Sequence, residues 1–591
     1  MNYLKKVSYL ILSCILALTL SGCSFTDNKD VQKKFDEFIN HDFISAMEDD
    51  YVAAHIFLEN PKDFGIDTKK LDVKLGSRPT TENMKEDAEQ LKKEWEEFQS
   101  FDRDKLTPEQ QDTYDIYEYQ VGLAVKLSDE KFNYYDQIFK STSGDHFQIP
   151  TLLSDWVLRN EQDVKDLILL VKDVKPYIDS CITYTKEQEK RGLLMIDPDS
   201  VHDYCKGVLE SGENSAVLRS MNENIDALNL PKEKADEYKK QLKEAFVTSF
   251  IPAYQDITNL MKEVKKGKNN EEGLAKFKYG KEYYTLLLQQ SIGSLKTVEE
   301  VEDLMIDGYT KHAVTAQSII NNNRDIVKKL ETDDLPKTTY HSYDAILKDI
   351  SSKFKDDFPT IKDLKYNIIP IDKEIASTSG VMAYFNVPAI DGTTPKQMRV
   401  NPLTGDVDNI ETYKTVAHEG FPGHMYQCGY AYENLSSPWR KSIAESTAYT
   451  EGYATYIEHY AVKYLDGMDQ ELLKLLSENE SLNYSLIILS DIGIHYSGWS
   501  YDELKARLVD MGVTPDDESI KELYKQLQAN PVAFEPYYVG YEEILALKEK
   551  AQKELGDKFK DKEFHETILK SGAVPFKIVE RDVDAYIKET K

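Results

Sequence analysis

Cysteine is scarce in this 591-residue chain, with five in all, at positions 14, 23, 181, 205 and 428. That excludes a disulfide framework as the source of its stability. Cys181 and Cys205 read as free, buried thiols, with a bridge between them as the alternative, and Cys428 reads as a packing residue. Positive charge is also in short supply: 73 Lys and Arg face 104 Asp and Glu, for a net charge of -31. The deficit argues against nucleic acid as a partner and against direct contact with anionic lipid, whereas a basic or neutral peptide would be attracted. Beyond the first twenty residues there is no apolar run long enough to span a bilayer, and no repeat of fixed period. What remains, 41% hydrophobic and 30% charged residues, is the composition of an ordinary globular protein with length for a large core.

The beginning of the chain has a pattern of its own. Lys5 and Lys6 precede an apolar run from Tyr9 to Leu20, too short to cross a membrane, and Leu20-Ser21-Gly22-Cys23 has the form of a lipobox. Residues 1–22 are expected to be a lipoprotein signal peptide, with Cys23 the lipidated first residue and residues 23–30 a tether. The protein would then be lipid-anchored at the extracytoplasmic face of the cell membrane, not spanning it.

Helical periodicity covers most of the rest. Glu161 to Lys190 is expected to bend or break at Pro176, Lys232 to Lys266 contains Pro252, and Val298 to Leu330 continues the pattern. Ser500 and Glu503 form a capping box, Thr514-Pro515 opens a further helix and Asn530-Pro531 ends it. The clearest strand runs from Gly380 to Val387, paired with Gln397 to Asn401 across Asp391-Gly392. Such an edge could hold a peptide extended through backbone hydrogen bonds, or be a plain surface hairpin.

The chemistry concentrates in His418-Glu419-Gly420-Phe421-Pro422-Gly423-His424. Two histidines with a glutamate directly after the first are the usual helical means of holding Zn²⁺ and placing a general base beside it. Here the histidines are six apart instead of four, which on a regular helix leaves them roughly 120° out of line. Pro422 and Gly423 are expected to open the helix and swing His424 back toward His418. Asp408 and Glu411 have the spacing of a capping box for the helix that carries His418. A second helix, capped by Ser437 with Pro438 at its first position and closed by Asp466-Gly467, presents Glu451 and Glu458 on one face. One suits a third ligand and the other a partner that orients a histidine, with Glu445 a further contender for the ligand.

The run His-Glu-Gly-x-Pro-Gly-His, followed by Glu451-Gly452-Tyr453-Ala454 and by Tyr456 and Glu458, resembles a bacterial family of secreted proteins and lipoproteins whose domain has no assigned function. That family is grouped with the gluzincin metallopeptidases and is distantly similar to the angiotensin-converting-enzyme and thermostable-carboxypeptidase types. The resemblance covers most of the mature chain. It includes Ala383 to Pro388 leading to Asp391-Gly392, the Asp491-x-Gly493-x-His495 block before Gly498-Trp499-Ser500, and Pro531 through Tyr537 to Gly540. It implies His418, His424 and Glu451 as zinc ligands and Glu419 as general base, and it makes His495 and Tyr537 candidates for binding the oxyanion or the substrate backbone. His495 could equally be a hydrogen-bonded histidine closing a helix, and Tyr537 one tyrosine among several. The chain departs from the family at Tyr453, where tryptophan is common, and at Val532-Ala533, where Gly-Gln is common.

These readings converge on a mainly α, two-lobed zincin-like fold with a small β edge before the metal helix. Residues 31–375 form a helical N-terminal lobe walling a cleft, and residues 376–591 form the catalytic lobe. The expected activity is hydrolysis of short peptides by a water that the metal and Glu419 activate. The alternative is a surface lipoprotein that binds peptide or metal without turnover.

Overall fold

The computed structural model describes residues 28–591 apart from 69, 332–335, 374–375, 377–380, 394, 405 and 514–515. The expected signal peptide, Cys23, most of the tether, Gly380 and Thr514-Pro515 lie outside the described residues. Residues 28–30, expected as tether, already belong to the first helix, Asn28–Asp49.

The fold is mainly helical, with one three-stranded sheet. No helix among the described residues is long and apolar enough to cross a membrane. Proline shapes the helices differently from the expectation. Glu161–Arg191 is one helix with Pro176 inside it. The missing N–H of a helical proline leaves the carbonyl four residues back without a donor. Ser249 makes good that loss: its hydroxyl donates to the Lys172 carbonyl and accepts from the Lys175 N–H, each at 2.9 Å. At Pro252 the remedy is a π-turn, Phe246–Phe250, between the helices Lys232–Ala245 and Ile251–Val264.

The strands are β1 (Tyr366–Pro370), β2 (Ala383–Asn386) and β3 (Lys396–Val400). The expected hairpin is present, with β2 antiparallel to β3 and Phe385 opposite Met398. β1, which the sequence pattern did not reveal, lies parallel to β3 on its other side. The order β1-β3-β2 leaves β2 as an edge strand beside the helices that follow.

Those helices are α1 (Ile410–Glu419), α2 (His424–Asn434), α3 (Pro438–Ser442), α4 (Thr447–Ala461), α5 (Gln470–Ile492) and α6 (Glu535–Leu555). The largest apolar core combines Phe35, Phe98 and Tyr117 from the early chain with Tyr413, Trp439, Tyr453 and Ile568 from the late chain. A separate core is made entirely from residues 51–264. Cys181 and Cys205 are free and buried.

Candidate metal centre

The helix bearing His418 starts one residue later than its spacing suggested. Asn409 caps α1 by accepting the Glu411 N–H at 3.0 Å, and the Asp408 carboxylate is engaged instead with Lys337. The helix ends at Glu419, and α2 begins at His424. Two wide backbone turns bridge the break: Gly423 N–H donates to the Ala417 carbonyl at 3.1 Å and Tyr426 N–H to the Gly420 carbonyl at 3.4 Å. Each spans six residues where a regular helix would span four. Two extra residues are thereby absorbed, and His424 returns to the face of His418. Gly423 is required, since a Cβ there would sit 1.9 Å from the His418 carbonyl oxygen. The Tyr453 hydroxyl donates to the Pro422 carbonyl at 2.9 Å, tying the turn to α4.

The second expected helix is in fact two. Ser437 does cap with Pro438 at the first position, but α3 closes after Ser442, where the Trp439 carbonyl accepts the N–H of both Ile443 and Ala444. Glu451 lies in the following helix, α4. It is joined there to α6 by a glycine contact that the sequence alone did not disclose. Gly452 lies so close to Gly540 that a Cβ on Gly452 would approach the Gly540 carbonyl carbon to 2.3 Å. This close approach sets Tyr537, on α6, beside His418 with ring centroids 6.4 Å apart and planes 21° from parallel.

His418, His424 and Glu451 form one group whose donor atoms all lie within 4.8 Å of one another. Glu451 Oε2 is 3.5 Å from His418 Nε2 and 3.3 Å from His424 Nε2. Donors held tetrahedrally at zinc's bond lengths stand about 3.3–3.4 Å apart, so these separations fit one ion. Glu458, one helical face along from Glu451, accepts from His418 Nδ1 at 2.5 Å. That contact holds the ring in orientation and leaves Nε2 facing Glu451. Glu445 is exposed and bonds Thr447, outside the group.

Glu419 stands beside these three residues without joining them, with Oε1 3.9 Å from His418 Nε2 and Oε2 accepting the Phe385 N–H of β2 at 2.8 Å. Burial raises its pKa, against the opposing pull of His418 and His424. Glu451 goes the other way: burial would raise it, but His424 and His418 outweigh burial and hold it well below the ordinary carboxylate range. Burial also disfavours charge on His418, yet the carboxylates of Glu451 and Glu458 push it well above the usual imidazole value. Tyr537 is pushed up by burial and by Glu451 and Glu419, so its hydroxyl stays a proton donor.

His495 is the site residue that the structure does not bring to this group. It is fully buried in the π-turn Gly493–Ser497 that ends α5. Its Nδ1 accepts the Leu274 N–H at 3.1 Å, and its Nε2 donates to the Leu527 carbonyl at 3.0 Å. With both ring nitrogens engaged, it has none to offer a substrate. Nearby, Asp491 accepts from the Tyr284 hydroxyl at 2.8 Å and from the Val532 N–H at 3.3 Å. Burial and Asp491 together raise Glu535 well above the carboxylate range, so it keeps its proton within the core.

A cavity of about 280 Å³ opens beside the metal group, lined by His424, Glu451, Phe385 and other residues between 385 and 573. The earlier chain, expected to wall the site, does not line it. A second cavity, of about 310 Å³, is lined by residues 55–159 of the earlier chain and by Tyr384 and Asn386 of β2. Alternate strand residues face opposite ways, which places the two cavities on the two faces of β2.

Comparison with solved structures finds the same fold elsewhere. One match is "the putative lipoprotein from Colwellia psychrerythraea", with a TM-score of 0.80 at 19% identity, covering 95% of this chain and 99% of that one. Another is "a putative lipoprotein of unknown function from Shewanella oneidensis", with a TM-score of 0.60 at 15% identity, covering 93% and 99%. No curated protein matches. Residues 61–583 match the family described as bacterial protein of unknown function, DUF885. The chain belongs to that family.

Proposed function

We propose that this protein is a zinc-dependent peptidase of the gluzincin type, hydrolysing short peptides at the outer face of the cell membrane. The observation that carries the reading is the spacing of His418, His424 and Glu451, which suits one ion, with a non-ligating carboxylate, Glu419, alongside. Zn²⁺, when bound to two imidazoles and a carboxylate, supplies an acidified water and a polarised carbonyl.

The chain's own residues supply the remainder. Glu419, desolvated and raised in pKa, is suited to take a proton from the attacking water and pass it to the leaving amine. Its tether to the Phe385 N–H fixes its direction. The Tyr537 hydroxyl, beside His418, is a donor for the carbonyl oxygen as negative charge develops there. β2 offers an edge along which an extended peptide could add. The lipobox at Cys23 supports a lipid anchor, and the two similar structures named above bear the description "putative lipoprotein".

The test is mass spectrometry of a mixed peptide library after incubation with the zinc-loaded soluble form, beside Glu419→Gln. The parent is expected to cut and the variant to retain zinc while losing about 10²–10⁴-fold in rate. Equal cleavage by both would remove Glu419 from the reaction, and cleavage by neither would leave a binding protein.

A further inference from the structure

The cavity beside the metal group has a charge pattern that runs against the rest of the molecule. In a chain of net charge -31, its wall carries two cations, Arg440 and Lys441, and one carboxylate, Glu451, which belongs to the metal group. Neither cation forms a salt bridge with a carboxylate among the described residues. Arg440 is 4% exposed and spends its terminal nitrogens on the Ser571 carbonyl and the Thr113 hydroxyl, leaving Nε without a partner. The Lys441 side chain has neither an ion-pair nor a hydrogen-bond partner among the described residues. Burial lowers its pKa and no neighbouring carboxylate offsets that pull.

A half-buried ammonium lining a cavity carries a desolvation cost that an anion drawn into the cavity would offset. Lys441 is the cation of this wall left without a counter-charge, and it calls for an anionic acceptor from outside the chain. We propose that this cavity binds a carboxylate of the substrate peptide, either its free C-terminus or an Asp or Glu side chain, with Lys441 as the charged contact. The proposal rests on the peptidase reading for the peptide itself and adds what the site selects.

The experiment separates the two. Zinc-loaded Glu419→Gln protein is titrated calorimetrically with acetyl-tetra-alanine ending in a carboxylate, the same peptide ending in a carboxamide, and acetyl-tri-alanyl-glutamic acid amide. One or both carboxylate peptides are expected to bind about tenfold or more tightly than the neutral one, as charge-assisted hydrogen bonds give. Which of them does so tells a C-terminus from a side chain. In Glu419→Gln/Lys441→Met the preference should fall toward one, and in Glu419→Gln/Lys441→Arg it should largely persist. A preference unchanged by Lys441→Met would assign the carboxylate to the metal, and no preference in the Glu419→Gln protein would also overturn the proposal. The parent is incubated with the same peptides in parallel. Failure to cut any of them sinks the peptidase reading while the binding preference still decides the cavity.

Discussion

The group at His418, His424 and Glu451 and the network at Asp491, His495 and Glu535 are built from the same kinds of side chain, yet they dispose of their hydrogen bonds in opposite ways. In the network every member is at most 1% exposed, and both nitrogens of His495 are held by backbone groups. In the metal group each histidine directs Nε2 at a shared point next to a cavity, and Glu458 takes the remaining nitrogen of His418. Residue type does not separate a site from a structural polar core. What separates them is whether donor valence is left over, and where it points.

The comparison can be broken most forcefully at the metal group. His424→Ala should weaken zinc retention by more than the roughly 100-fold that losing an outer partner costs, as read by metal analysis after dialysis against a graded chelator. The fold should survive, because α2 keeps its apolar face. Undiminished affinity would mean that another residue completes the ligand set.

The converse holds in the network. His495→Gln should cost about 2 kcal/mol through two compromised buried hydrogen bonds, seen as a lower denaturant midpoint. Turnover per folded molecule should stay near that of the parent. A large loss of kcat with an unchanged midpoint would return His495 to the chemistry.

At Glu535→Gln the effect is the smallest of the three near pH 4.5, and it grows as pH rises. The native carboxyl keeps a proton that the unfolded chain releases above about 4.5, so the parent loses stability as pH rises past that value. The amide has no such loss. Variant and parent should be alike to within about 1 kcal/mol near pH 4.5, with the variant gaining steadily toward pH 8. Parallel stability curves would show Glu535 to be ionised in the core.

Much of this was legible because it is local. The Ser500 capping box, the Ser437 cap and the paired strands β2 and β3 depend on neighbours a few residues away. The break in the metal helix followed from an imino acid and a six-residue spacing. β1 escaped notice because its parallel partner is some thirty residues distant and it lacks clean alternation. His495 was placed among the candidates because its block resembles a functional signature, while the atoms that occupy it belong to Leu274 and Leu527, 221 and 32 positions away. Pro176 was expected to disrupt its helix, since no sequence pattern ties it to Ser249. Gly452 and Gly540 stand in the sequence only as letters of the blocks that carry the resemblance, and the packing of α4 on α6 shows them as the surfaces where two helices meet.

The four residues between α1 and α2 act as a gauge block whose length matters more than its lettering. Inserting or deleting a single position would turn everything beyond it by about 100°, carrying the second imidazole off target however well the flanking sequence is kept. Drift in the side chain at position 421 is a packing matter, whereas drift in length would forfeit the site at once. A search for this arrangement in other chains should therefore hold the gap and the glycine at position 423 fixed and let position 421 vary.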